Sequence, residues 1–325
     1  MSTSATIPPF DFRAADLPPA PPLRGLFVTG TDTEVGKTLI AGAIARSLRR
    51  RGVRVDVLKP VATGCRRAGG QLVSADAEFL AWCADSPQML SDIAPIRYAT
   101  AVAPNVAAEL ERRPVDLQLL FDAVRLIAGG ANAGHTESRG VPRAGPVRDA
   151  SRHMHALRGD SAGKYARPTG DPVGDARPTR LVLVEGIGGL LCPITDDLWV
   201  IHLARWLGLP LLVVARAGLG TLNHTLLTLH AARSAGLHVA GVVLNRYLID
   251  PLAASGKTLD ELHARGDVDM AMFTNPARVE ALGRTRVLAL VPEEAANSVE
   301  RPSIGPDTQF LIDQVAWQRL CGGAG

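Results

Sequence analysis

Lys37 and Thr38 close the segment Gly30-Thr31-Asp32-Thr33-Glu34-Val35-Gly36-Lys37-Thr38, in which five residues separate the two glycines. The apolar run Leu26-Phe27-Val28 precedes it and a helical pattern follows. Such a loop turns backbone N–H groups inward on a phosphate, and the positive end of the helix dipole adds to the attraction. Lys37 can reach the β- and γ-phosphates, and the Thr38 hydroxyl can ligate Mg²⁺. The pattern predicts a nucleoside triphosphate site. An accidental Gly-Lys-Thr in a glycine-rich turn would explain neither the strand before it nor the helix after it.

Further candidates stand at the ends of other apolar runs. Lys59 follows the run 53–58 and precedes Pro60-Val61-Ala62-Thr63-Gly64. Ligands in an open α/β sheet sit beyond the carboxyl ends of the strands, so Lys59 is either a second cation for that crevice or a plain surface lysine. Glu185 is expected at the tip of Val182-Leu183-Val184, where an acid either orients Mg²⁺ and its water or caps a helix. The Gly186-Ile187-Gly188-Gly189 that follows lets backbone approach a ligand closely. Ser74 or Asp76 reads first as the N-cap of a helix over 76–84. Asn245 ends the run 239–244 and can read a base edge or make a turn. Thr221-Leu222-Asn223-His224 opens a helix behind Gly218-Leu219-Gly220, which is a carboxylate site or an ordinary helix start. No Ser/His/Asp or Cys/His arrangement suggests an enzyme nucleophile.

Positioning these residues requires a regular scaffold, and the chain supplies the pattern for one. Apolar runs at 25–29, 53–58, 181–184, 210–215, 239–244 and 286–291 alternate with helical patterns at 37–51, 76–84, 116–128, 197–207, 221–235 and 275–282. That alternation predicts α/β architecture, a doubly wound, mostly parallel sheet flanked by helices, of the P-loop NTPase kind. Runs such as Leu211-Leu212-Val213-Val214, apolar at every position, suit strands covered on both faces. Residues 1–23, with Pro18-Pro19-Ala20-Pro21-Pro22, read as a disordered tail before a single domain over 24–325. Residues 129–180 carry no apolar periodicity and read as a low-complexity, disordered insertion. The stretch 248–274 is irregular, with a short helix near Leu259–Ala264.

Composition narrows the function classes. Of 325 residues, 46% are apolar and the net charge is only +3, so a large core is expected and general polyanion binding is not. Residues 131–180 hold nine Lys/Arg against five Asp/Glu, which leaves the remainder near neutral. Aromatics at 4% argue against base-stacking platforms and hence against a nucleic-acid partner. Cys65, Cys83, Cys192 and Cys321 form no C-x-x-C pair and suit a reducing cytosol. Met1 to Arg24 lacks a positive segment followed by an apolar one, and no apolar run reaches the ~20 residues of a membrane span. The expectation is a cytoplasmic protein with no membrane partner.

Taken together, four segments resemble the dethiobiotin synthetases: 28–38, Lys59-Pro60-Val61-Ala62-Thr63-Gly64, Val184-Glu185-Gly186-Ile187-Gly188-Gly189, and 218–228. They occur in the family's order, and the five-residue loop spacing is the family's own. The resemblance implies a homodimer that uses ATP and Mg²⁺ to join CO₂ to 7,8-diaminononanoate. It implies capture of CO₂ as a carbamate, attack of the carbamate on the γ-phosphate, and ring closure by the second amine. On this pattern Lys37 and Lys59 neutralise the γ-phosphate and carbamate. Nucleotide contacts are implied for Thr33, Glu34, Val35, Gly36, Lys37, Thr38, Asn245 and Pro292. Substrate contacts are implied for Lys59, Thr63, Gly188, Thr221, Leu222 and Asn223, the last three across the dimer interface. Thr38, Asp76 and Glu185 match the Mg²⁺ positions, which lifts Asp76 from cap to ligand.

The sequence departs from the pattern at Asn105, where many relatives carry His, and at Ala289, where Gly is usual. The insertion and the length of 248–274 are also unlike the family. A related partitioning ATPase would carry a second lysine where Thr31, Asp32 and Thr33 stand. An amidating ligase of cobalamin synthesis would need a glutaminase domain, for which too little chain remains past 292.

Overall fold

The computed structural model describes residues 17–129, 180–247 and 269–322, which all fall in one compact unit. Its centre is a six-stranded, all-parallel sheet in the order β10-β9-β8-β1-β7-β2. The strands are β1 (Gly25–Gly30), β2 (Arg54–Leu58), β7 (Arg180–Gly189), β8 (Leu211–Arg216), β9 (Val239–Tyr247) and β10 (Val287–Pro292). Alternate residues of each strand feed opposite faces. Phe27, Val182, Val184 and Val213 join one core, while Leu26, Val28, Leu183 and Val214 join the other.

The first face is covered by α5 (Leu117–Gly129), α6 (Val200–Leu207), α7 (Thr221–Ser234) and α8 (Met270–Gly283). The second is covered by α1 (Lys37–Arg50), α2 (Ala75–Ala84), α9 (Pro306–Asp313) and α10 (Trp317–Leu320). Helix α1 turns Ile40, Ile44 and Leu48 into that core at intervals of four, and ends on Arg49 and Arg50, where cations suit the negative end of the helix dipole. This is the doubly wound fold that the apolar runs predict, and each of the six expected strands is present.

Smaller elements complete the crevice side. They are β3 (Val61–Ala62) paired in parallel with β6 (Ile96–Arg97), and the hairpin β4 (Arg66–Ala68) with β5 (Gln71–Val73). Short helices α3 (Leu90–Ile93) and α4 (Pro104–Leu110) flank them.

Four expectations need correction. Glu185 is not at a strand tip, because β7 runs on to Gly189. Val28 pairs with Glu185 and Gly30 with Gly189, so β7 carries extra residues against β1 there and bulges. Helix α8 begins at Met270, not near 275, because Asp269 caps it by accepting from the Ala271 N–H at 2.9 Å. Pro276 then lies inside the helix, where Asn275 secures the turn by donating to the Ala217 carbonyl at 2.9 Å. Helix α6 begins at Val200, three residues later than the apolar pattern alone suggests.

Finally, residues 17–23, expected in a disordered tail, lie against the domain. Leu17 and Leu23 pack on the core and the Trp206 indole donates to the Pro18 carbonyl. The two leucines flanking the prolines give this stretch apolar surface to bury. The rest of that tail, the insertion core and the helix near Leu259–Ala264 lie outside the described residues.

Candidate active site

The six parallel strands carry the site residues at or toward their carboxyl ends, as the crevice rule of open α/β sheets leads one to expect. The phosphate loop leaves β1, Lys59 follows β2, and Glu185 lies on the last part of β7. Arg216, Asn245 and Pro292 stand at or near the ends of β8, β9 and β10. The loop itself is held in an unusual backbone state. Gly36 has φ 92° as the N-cap of α1, and a Cβ there would run into the side-chain amide of Asn245. Glu34, not a glycine, has φ 54°, a strained left-handed conformation of the kind found at functional loops.

Lys59 is the hub. Its Nζ lies 2.6 Å from Glu185 Oε1 and 2.8 Å from Asp76 Oδ2. Thr38 donates to the same Glu185 oxygen at 2.7 Å. The plain surface-lysine reading therefore fails, since the Lys59 side chain is only 4% exposed. Helix α2 is capped by Ser74, whose Oγ accepts from the Ala77 N–H at 3.3 Å, so Asp76 is free to face the lysine.

Burial works against the charge on Lys59, but Asp76 and Glu185 overcome it and hold the ammonium above the ordinary lysine range. Burial likewise opposes charge on Asp76, yet Lys59 and Thr38 keep its carboxyl low. For Glu185 burial prevails and its pKa is raised. Lys37 donates to the Asp32 carbonyl at 2.7 Å, and burial together with the Lys59 charge lowers its pKa to about 8.

The donor set fits Mg²⁺. Glu185 Oε2 is buried with no hydrogen-bond partner, an orphaned acceptor beside the Thr38 hydroxyl and the Asp76 carboxylate. Mg²⁺ takes oxygen ligands and usually only one or two carboxylates, with phosphate and water completing the shell. Among the described residues no group of three or more His, Cys, Asp or Glu side chains is arranged for a metal.

Nucleotide candidates converge separately. Asn245 Nδ2 donates to the Val35 carbonyl at 2.9 Å, and Gly36, Asn245 and Pro292 line one cavity of about 220 Å³. Asn245 is thus more than a turn residue, because it ties the end of β9 to the phosphate loop. A second cavity of about 330 Å³ joins Thr31, Asp32 and Thr33 to Gly188 and His224. Of the first turn of α7 it is His224 that lines this space, not Thr221, Leu222 or Asn223. Thr221 is buried against Thr225, Leu222 is half-buried and Asn223 is exposed. Thr63, half-buried, follows β3. Asn105 donates to Asp196 at 3.1 Å, and Ala289 is buried in β10.

One neighbour had no motif to reveal it. Arg216 Nη2 lies 3.4 Å from Asp32 Oδ2. Asp32 puts a carboxylate into a loop that must receive phosphates, and Arg216 offsets it. An exposed pair of this kind contributes up to ~1 kcal/mol, so Arg216→Ala should raise the KM for ATP on the order of fivefold. Adding Asp32→Asn should restore most of it in a double-mutant cycle of steady-state kinetics. A KM that does not move would remove the pair from nucleotide binding.

Fold and site together define a phosphate-loop nucleotide-binding α/β protein. A family model described as an AAA domain matches residues 24–128 and 175–301. The chain is 34% identical to ATP-dependent dethiobiotin synthetase BioD of Anaeromyxobacter sp. (strain K) over 283 residues, 87% of this chain and 96% of that one. It is 38% identical to the BioD of Anaeromyxobacter dehalogenans (strain 2CP-1 / ATCC BAA-258), over 69% of this chain and 77% of that one. Among solved structures, a Pyrococcus furiosus cell division ATPase MinD is 15% identical with a TM-score of 0.40, covering 91% of this chain and 97% of that one. The chain belongs to the ATP-dependent dethiobiotin synthetase family.

Proposed function

We propose that this chain is the Mg²⁺- and ATP-dependent ligase that closes the ureido ring of dethiobiotin from 7,8-diaminononanoate and CO₂. The observation that carries the reading is the Lys59–Glu185–Asp76–Thr38 cluster, set beside Lys37 in the phosphate loop. It gathers two ammonium groups and oxygen donors where two anionic reactants must meet, and it needs no enzyme nucleophile. Both nucleophiles belong to the diamine. One amine takes up CO₂ as a carbamate, whose oxygen attacks the γ-phosphorus as ADP leaves. The second amine then attacks the carbamic–phosphoric anhydride carbon, and phosphate departs as the ring closes.

Lys37 binds the β- and γ-phosphoryl oxygens, for which it must leave the Asp32 carbonyl. Lys59 turns its charge from the carboxylates toward the carbamate. Thr38, Asp76 and Glu185 would hold Mg²⁺, which when bound offsets charge on the phosphates. Thr63 and Gly188 would border the diamine. The remaining contribution is positioning and exclusion of water, which suffices for a phosphoryl transfer between anions. We further place Thr221, Leu222 and Asn223 at the substrate carboxylate of a partner subunit in a homodimer. The exposed Leu219 and Leu227 near that turn would supply apolar surface for such a subunit contact. We assign the enzyme to the cytoplasm. Among the described residues, no helix is long and apolar enough to cross a membrane.

Incubating the protein with 7,8-diaminononanoate, bicarbonate, Mg²⁺ and ATP should yield dethiobiotin and ADP in equal amounts. ADP release that ignores the diamine would instead support a nucleotide-driven switch.

A further inference from the structure

A groove of about 850 Å³ lies between the β4–β5 hairpin, β6 and the turn that follows α4. Three arginines line it, Arg67, Arg97 and Arg113, against one carboxylate, Glu111. Two of the guanidinium groups are fixed by neutral partners. Arg97 donates to the Leu72 carbonyl at 2.9 Å. Arg113 donates to the Arg97 carbonyl and lies over the Tyr98 ring, 4.6 Å from its centroid. Arg67 is exposed and makes no hydrogen bond or ion pair among the described residues. Glu111 sits 3.6 Å from Arg113 and spends one oxygen on the Thr100 N–H at 2.8 Å. The lining therefore carries a net charge of about +2, three guanidinium groups against one carboxylate.

We propose that this groove is a second anion site, distinct from the phosphate loop, that takes a phosphate-type dianion. Planar guanidinium forks bind phosphate oxygens in pairs, and fixing the forks beforehand lowers the ordering cost. A recess lined by one sign of charge also concentrates counter-ions. The site touches the crevice through Thr100, whose carbonyl accepts the Gly64 N–H at 3.3 Å beside Thr63. The hairpin that frames it, Arg66–Val73, lies in the chain between Thr63, a substrate candidate, and Asp76, a metal candidate. The proposal does not depend on the ligase reading, because it concerns binding alone.

Equilibrium dialysis of radiolabelled inorganic phosphate tests it, on the full chain with the phosphate loop filled by Mg²⁺ and a non-hydrolysable ATP analogue. One phosphate per chain should remain bound. Arg67→Glu should weaken that binding at least about tenfold, the loss of a charge-assisted contact. Arg66→Glu changes the same charge, but Arg66 is turned to Glu78 at 2.7 Å and does not line the groove, so it serves as the control. Its affinity should stay close to the parent's. Glycerol 3-phosphate competing more tightly than phosphate would identify a phosphate monoester as the occupant, and weaker competition would identify the free ion. No phosphate bound once the loop is filled, or equal losses in the two variants, overturns the site. Thermal melting accompanies each variant, and since the exposed Arg67 side chain makes no hydrogen bond or ion pair among the described residues its replacement should leave the midpoint close to the parent's.

Discussion

Lys59→Gln should lower turnover by about 10³-fold, the scale set by removing one group that stabilises transition-state charge. It should also lower the melting temperature of the nucleotide-free protein, which an ordinary surface lysine would not do. Glu185 is 1% exposed and Lys59 4%, so the substitution leaves a buried carboxylate facing Asp76 without its cation. Breaking a buried pair from one side costs about 3–5 kcal/mol. Two further results separate chemistry from folding. Lys59→Gln with Glu185→Gln should recover much of the stability, because the uncompensated charge is gone, yet none of the turnover. Mg²⁺ should raise the melting temperature of Lys59→Gln more than that of the parent, since the ion no longer competes with an ammonium 2.6 Å from Glu185. Parent-like turnover in Lys59→Gln would take Lys59 out of the reaction.

The same cluster marks the boundary of what the sequence could disclose. Apolar runs located every strand of the main sheet, because strands buried on both faces have no polar residue to hide the signal. The carboxyl-end rule then put Lys59 on the crevice edge without coordinates. What stayed ambiguous were residues with two local uses. Asp76 and Ser74 are equally good caps by type, and only the fold shows that Ser74 takes the Ala77 N–H and frees Asp76. Glu185 reads as terminal because the apolar run ends at Val184, whereas a bulge extends β7 past it. Arg216 was silent because its meaning depends on β8 lying beside β1, which brings it to Asp32 across 184 residues of chain. The groove arginines share that property, since Arg67, Arg97 and Arg113 come from three separate elements. Short pairings such as β3 with β6 carry too few residues for a periodic signal. Expectations for the insertion and for 248–268 concern residues outside the described set.

Lys37→Gln should likewise reduce turnover by about 10³-fold, and here the loss should extend to the affinity for ATP. The proton balance of this residue gives a sharper test than the rate. In the nucleotide-free protein burial and the Lys59 charge lower its pKa to about 8, so it begins to lose its proton just above neutrality. A triphosphate favours the ammonium form and therefore raises that pKa on binding. Affinity should accordingly be full below about pH 8 and fall as the pH rises through that value, with proton uptake accompanying binding over the same range. Calorimetry in buffers of different ionisation enthalpy measures that uptake, and Lys37→Gln should abolish it. Uptake that persists in the variant would assign the proton to another group. Because Lys37 rests on the Asp32 carbonyl at 2.7 Å before nucleotide arrives, the first phosphate contact must replace that bond. The gain is therefore the difference between an ammonium held by a neutral carbonyl and one held by a charged oxygen, less the cost of restoring the proton once the pH passes about 8.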